Sequence, residues 1–227
     1  MNDSSRVREL SSHELERTAA SVAVSFSPGT ASRLGEVIET STTGFLAESD
    51  QLHQLPDLGA LVCVGGLDAE RAYYGIVAHG ATGGLDTSRK AVRRGGDHLA
   101  DAAIYDRHPE LELVLRTVFN VAVIGYRDGP AYRHSLPALP VPLHYSVHGC
   151  DRSTVGAFCD NPRYLAALLN YNGDLMPEQL LAAHFRWVDT TLDDHHVWLT
   201  EATRRLARLM KRDYDRLTMI LESVAPD

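Results

Sequence analysis

Leu58-Gly59-Ala60-Leu61-Val62-Cys63-Val64-Gly65-Gly66, then Leu67-Asp68-Ala69-Glu70, then Arg71-Ala72-Tyr73-Tyr74-Gly75-Ile76-Val77-Ala78 is the stretch that decides the fold class. Two short apolar runs, rich in β-branched and aromatic residues, flank four residues suited to a turn, which is the pattern of a β-hairpin. Upstream, Leu34-Gly35-Glu36-Val37-Ile38-Glu39-Thr40-Ser41-Thr42 alternates apolar and polar residues before Gly44-Phe45, as a half-buried strand does. Downstream, Arg116-Thr117-Val118-Phe119-Asn120-Val121-Ala122-Val123-Ile124-Gly125 is a further β-branched run, closed by Arg127-Asp128-Gly129-Pro130. Strands separated by short turn signals predict a small antiparallel β-barrel rather than βαβ units. Closure suits this spacing because it removes edges that would otherwise pair with other chains. Leu136-Pro137-Ala138-Leu139-Pro140-Val141-Pro142 carries three prolines, which remove ladder donors, and is predicted to be an extended segment leaving the barrel.

Outward from the barrel the chain changes character twice. Residues 1–32 are rich in Ser, Thr and charge and are predicted to be a partly ordered N-terminal arm. Residues 33–150 form the β domain, interrupted over 79–110 by a long loop with glycines at 80, 83, 84, 95 and 96. Residues 151–227 form a helical tail, so the expected class is α+β. Tyr164–Leu169 and Pro177–Val188 are predicted helices, the second opened by its proline. A last helix is expected from about His195 to Val224, capped by Asp193 or Asp194. Along it Leu199, Thr203, Leu206, Met210, Asp213, Leu217, Ile220 and Val224 step by four and three, a heptad-like seam flawed at Thr203 and Asp213. Either the other helices or a second copy of the chain covers that seam.

The 227 residues carry 22 Lys+Arg against 30 Asp+Glu, a formal net charge of -8. This disfavours a general polyanion binder and leaves room for a local basic patch. Cys63, Cys150 and Cys159 lack CxxC spacing, which argues against a disulfide scaffold or zinc knuckle and fits a reducing cytoplasm. The N-terminus has no apolar core behind its charges, unlike a signal peptide, and no apolar run approaches the roughly 20 residues of a membrane helix. The expected protein is cytoplasmic and bound to no membrane.

Catalytic signatures are sparse. Gly80-Ala81-Thr82-Gly83-Gly84 lacks the Gly-Lys-Ser/Thr that places a lysine on phosphates, and there is no GxGxxG, HExxH or GxSxG. No cofactor and no catalytic residue is therefore expected. One enzymatic alternative remains open, a metal-dependent hydrolase using His144, His148 and Cys150, although their spacing suits an extended segment better than a chelating helix. Cys63, between two valines, is predicted to be core. Two basic clusters stand out. Arg204, Arg205, Arg208, Lys211, Arg212 and Arg216 are interspersed with acids, as on a solvated helix face. Arg89, Lys90, Arg93 and Arg94 lie in the glycine-flanked loop, free to meet an acidic partner or, as a further alternative, nucleic acid.

The strands Leu34–Thr42, Gly59–Val64, Tyr74–Val77 and Val118–Gly125 resemble the HAS barrel of HerA-type DNA translocases and rotary ATP synthase subunits. The first is similar to the family's "G-x-V-x-x-S-T" strand, the second to its "G-x-x-V-x-V" strand and the third to its "x-G-x-V" strand. The resemblance covers about half of the chain. Leu136–Pro142 looks like the exit that leads to an ATPase core in such proteins, but here helical residues follow and motor activity does not carry over. What the resemblance implies is a barrel for assembly or docking, with a HerA-type ATPase or NurA-type nuclease as partner in DNA processing or repair. The expected protein is a non-catalytic adaptor that self-associates through barrel edges or through Leu199, Leu206, Met210, Leu217, Ile220 and Val224. Its contacts with a partner or nucleic acid fall to Arg89, Lys90, Arg93 and Arg94.

Overall fold

The computed structural model describes residues 32–86, 90–96 and 99–224. The predicted N-terminal arm thus lies outside the described residues, Ser32 excepted. Among the described residues seven strands are present: β1 (Arg33–Thr40), β2 (Gly44–Ser49), β3 (Leu61–Gly65), β4 (Arg71–Gly84), β5 (Leu115–Asp128), β6 (Ala131–Arg133) and β7 (Ser146–Gly149). All pairings are antiparallel in the order β2-β1-β7-β3-β4-β5, and β5 pairs back onto β2 through Gly44↔Ala122 and Glu48↔Val118. The result is a closed six-stranded barrel, with β6 added to the end of β5. The predicted β3–β4 hairpin is present, its turn closed by the Gly66 amide on Arg71 O and the Arg71 amide on Asp68 O.

Side-chain alternation along β3, β4 and β5 serves two cores. Val62, Val64, Tyr73, Val77, Phe119, Val121 and Val123 fill the barrel with Val37, Phe45, Ala47 and Val147. Leu61, Cys63, Tyr74, Ile76, Ala122 and Ile124 belong instead to a second core beneath the helices. Burial on both faces explains why these strands read as near-continuous apolar runs. The helical layer comprises α3 (Arg152–Cys159), a 3₁₀ turn at Pro162–Tyr164, α4 (Leu165–Leu169), α5 (Pro177–Thr191), α6 (His195–Leu209) and α7 (Tyr214–Val224). Asp151 caps α3 by accepting the Thr154 amide at 2.8 Å. Phe158 of α3 sits 4.9 Å from Tyr74 and 5.4 Å from Tyr164, ring centre to ring centre, joining barrel to helices.

Four sequence expectations need correction. Residues 79–110 are not one loop: 79–84 continue β4, and α1 (Ala102–Arg107) and α2 (Leu111–Val114) follow. The glycine-rich stretch is held extended by its ladder with β5, from His79↔Asn120 to Gly84↔Leu115, so a non-local pairing overrides local composition. The proline segment does not leave the barrel. It carries the chain to β7, which pairs with both β1 (Gly35↔Val147) and β3 (Val64↔Val147) and completes the ring. The helix expected over 195–224 is broken at residues 210–213, and Asp194 makes no capping hydrogen bond at the start of α6. The break lets α7 fold back on α5, where Arg216 donates to the buried carboxylate of Glu178.

The fourth correction concerns the seam. Leu206, Met210, Leu217 and Ile220 are buried within the chain itself, and Leu199 and Val224 pack half-buried against the same core. The stripe is largely consumed in cis, so Leu206, Met210, Leu217 and Ile220 offer no free face to a second copy. Leu206→Ala should cost about 2–5 kcal/mol, as for other buried leucines. Urea denaturation monitored by circular dichroism measures this, and the loss should not depend on protein concentration, as it would for a residue at a subunit interface.

Candidate functional site

The barrel uses only part of β4 and β5. Opposite β5, β4 is paired by β3 at Ala72–Ile76, and Val77 then exchanges hydrogen bonds with Ala60 O (3.0 Å) and the Gly59 amide (2.9 Å). Past that point β4 is paired by β5 alone, and beyond Glu48↔Val118, where β2 leaves β5, residues 82–84 and 115–117 project as a two-stranded ribbon. Its end is closed by the Leu85 amide donating to Val114 O at 3.0 Å. The buried Thr117 hydroxyl lies 2.8 Å from that of Thr82 and accepts the His53 amide at 2.7 Å. His53, at φ +63°, is 2.6 Å from the Tyr105 hydroxyl through Nε2. This chain of contacts sets α1 against the ribbon tip.

Between α1, α2 and the tip lies a groove of about 490 Å³, lined by Leu85, Val92, Ile104, Tyr105, Leu111, Val114 and Leu115, together with Asp86, Lys90 and Arg94. Its surroundings are unusually apolar for a surface: Val92 and the neighbouring Leu113 are each 77% exposed, Leu85 52%. Contiguous exposed apolar area of this kind marks interaction sites. Lys90 and Arg94 therefore do come together, on an apolar background that reading the loop for charge alone misses. Arg93 is exposed and lies outside the groove lining, and Arg89 is outside the described residues. Arg94 also acts on Glu110, whose carboxyl is held below its usual range by its own backbone amide, by His108 at 3.0 Å and, less, by Arg94. The signal available in sequence was the apolar content of Leu85, Val92, Ile104 and Leu111–Leu115 inside a presumed loop.

His144, His148 and Cys150 are not gathered into a site. His144 is exposed, at φ +63°, with Nδ1 2.8 Å from Glu36 Oε1. His148 lies in β7 opposite Cys63. The Cys150 thiol is pushed well above its ordinary pKa by burial and by the adjacent Cys63 thiol, which keeps it protonated. Among the described residues no group of three or more His, Cys, Asp or Glu converges to hold a metal ion. A second cleft of about 530 Å³ separates the β1–β2 turn from the α4–α5 connection. Asn120 and Asp174 face each other on its wall at 3.3 Å.

The buried polar network sits elsewhere, where barrel and helices meet. His184 of α5 is fully buried, with Nδ1 2.7 Å from Gly59 O and Nε2 2.9 Å from the Tyr164 hydroxyl. Burial lowers its pKa to about 4, so the ring is neutral. Nδ1–H must then donate to the carbonyl, and Nε2 accepts the single Tyr164 proton. With that proton used, the Cys159 thiol, 3.3 Å from the Tyr164 oxygen and pushed up to about 12 by burial, supplies the remaining one. Gly59, at φ +86°, is required here, because a Cβ would lie 2.5 Å from the Ala183–His184 peptide.

No family model matches the chain, and no curated protein matches it in sequence. Among the described residues no helix is long and apolar enough to cross a membrane.

The neutral His184 gives a pH signature. Once unfolded, it takes up a proton near pH 6.5, which the native state refuses until about pH 4. Stability present above pH 6.5 is therefore lost as the pH falls through that window, by about 3 kcal/mol in total. Urea midpoints measured from pH 7.5 to 4.5 should show the fall, and His184→Gln should flatten it while lowering stability at neutral pH.

Proposed function

We propose that this chain is a non-catalytic assembly and adaptor module, a HAS-type barrel with a helical layer that docks a protein partner. The observation that carries the reading is the ribbon tip. There, Leu85, Val92, Leu113 and Val114 are exposed beside a groove flanked by Lys90 and Arg94, on a chain whose formal net charge is -8. A site meant for charge alone has no use for that apolar surface, and a solvated loop does not maintain it. The strands that carry the HAS resemblance fall on β1, β3, β4 and β5. That resemblance supports a HerA-type ATPase or NurA-type nuclease as partner and a role in DNA processing or repair. Three free cysteines fit a reducing cytoplasm. Self-association would use strand edges away from the ribbon tip, since the heptad-like seam is covered within the chain.

The test is direct. The purified chain is mixed with a HerA-type translocase and, separately, a NurA-type nuclease from the same genome, and light scattering reads both self-association and complex formation. Docking through the tip predicts a complex that Val92→Asp weakens at least about tenfold, the size expected for a central interface residue. A photo-crosslinking residue at position 92 should join the two proteins. A chain that stays monomeric and binds neither protein at micromolar concentration would abandon the proposal.

A further inference from the structure

We infer that the partner segment taken by this groove is an extended, acidic and apolar stretch of protein that adds as a strand to the free edge of β4. The inference rests on the docking reading above and names what docks and how.

Two independent features carry it. The first is an open edge. On the side of β4 away from β5, no described strand pairs beyond Val77, and Gly80–Gly83 are exposed. Edges of this length are normally shielded by lysine, proline or a covering element. Ala78-His79-Gly80-Ala81-Thr82-Gly83-Gly84 has neither residue type, and although Leu55 packs over Gly80, a Cβ at Gly83 would meet nothing within 4 Å, so the end of β4 is uncovered there. An edge of unpaired backbone groups is a template for a further strand.

The second feature is the groove into which the edge runs. Gly84 ends β4 and, with Leu85 after it, lines that groove, so a strand laid along β4 is delivered onto its apolar wall at Val92 and Ile104. Alternate side chains of an added strand point the same way, which suits apolar residues inserted there. Lys90 and Arg94 then select carboxylates on the incoming segment. A second copy of this chain is the poorer occupant. Its β4 edge, Ala78 to Gly84, supplies no carboxylate to meet Lys90 and Arg94.

Fluorescence anisotropy with the whole chain tests this. The probe is a capped nine-residue peptide alternating glutamate with leucine and valine. Controls are the same peptide N-methylated at alternate amides, a lysine-for-glutamate version, and a single-stranded DNA 20-mer. The expected result is binding by the acidic peptide, loss of binding on N-methylation, and a drop of about tenfold or more with Lys90→Glu plus Arg94→Glu, in line with charge-assisted contacts. Amide hydrogen exchange at 79–84 should slow when the peptide binds. Equal binding by the N-methylated peptide, or unchanged exchange at 79–84, overturns strand addition and leaves docking at the tip standing. DNA binding that needs Lys90 and Arg94, without peptide binding, overturns both readings in favour of a nucleic-acid surface. If no probe binds while the residue-92 crosslink to a translocase or nuclease succeeds, the inference fails and the docking reading survives.

Discussion

The barrel depends on a four-residue strand. β7 contributes Val147, fully buried, and pairs on one side with β1 and on the other with β3. Without it β1 and β3 present two open edges, and the barrel core between Val37, Val62 and Val64 is exposed along that seam. Its position in the chain explains why the proline-bearing segment before it matters. That segment carries no ladder, yet it crosses back over the barrel and buries Val141 in the same core. Closure is thus a long-range event, made about one hundred residues after β1 begins, and costly in loop entropy until both pairings form.

Closure also fixes how much strand is left over. β3 is five residues long and β4 fourteen, so part of β4 has no neighbour on one side once the ring is complete. Its ladder with β5 keeps that remainder extended as a ribbon, and the Thr82–Thr117–His53–Tyr105 contacts hold α1 across its end. The candidate site is built from this excess. Nothing in the barrel requires an apolar groove there, and its exposed residues sit against the general preference for polar tips.

The other face of β3, β4 and β5 is committed to the helical layer. Phe158, Leu165, Leu168, Leu181 and Phe185 share one core with Leu61, Tyr74, Ile76 and Ile124. His184 ties the layers at Gly59, a contact possible only because α5 approaches a glycine. The same core absorbs α6 and α7, which is why the heptad-like stripe marks an internal surface. A heptad repeat reports that one side of a helix is apolar and says nothing of whether the covering surface belongs to the same chain.

The local patterns determined the elements. Alternation in Leu34–Thr42, the paired apolar runs around Leu67–Glu70 and the β-branched Arg116–Gly125 were legible because a strand's period of two appears directly in sequence. So were the helices over Tyr164–Leu169 and Pro177–Val188, and the basic character of residues 89–94. What only the tertiary structure decided lay in pairings between distant residues. β7 is too short to announce itself, the glycines of 79–84 become strand only through β5, and the turn at 210–213 carries neither Gly nor Pro. The apolar half of the candidate site was hidden for the same reason, since Leu85, Val92, Ile104 and Val114 meet only when the ribbon folds its two ends together. Single-residue propensities act over a few positions, whereas ring closure, edge exposure and groove formation depend on contacts whose energy is set by the whole barrel.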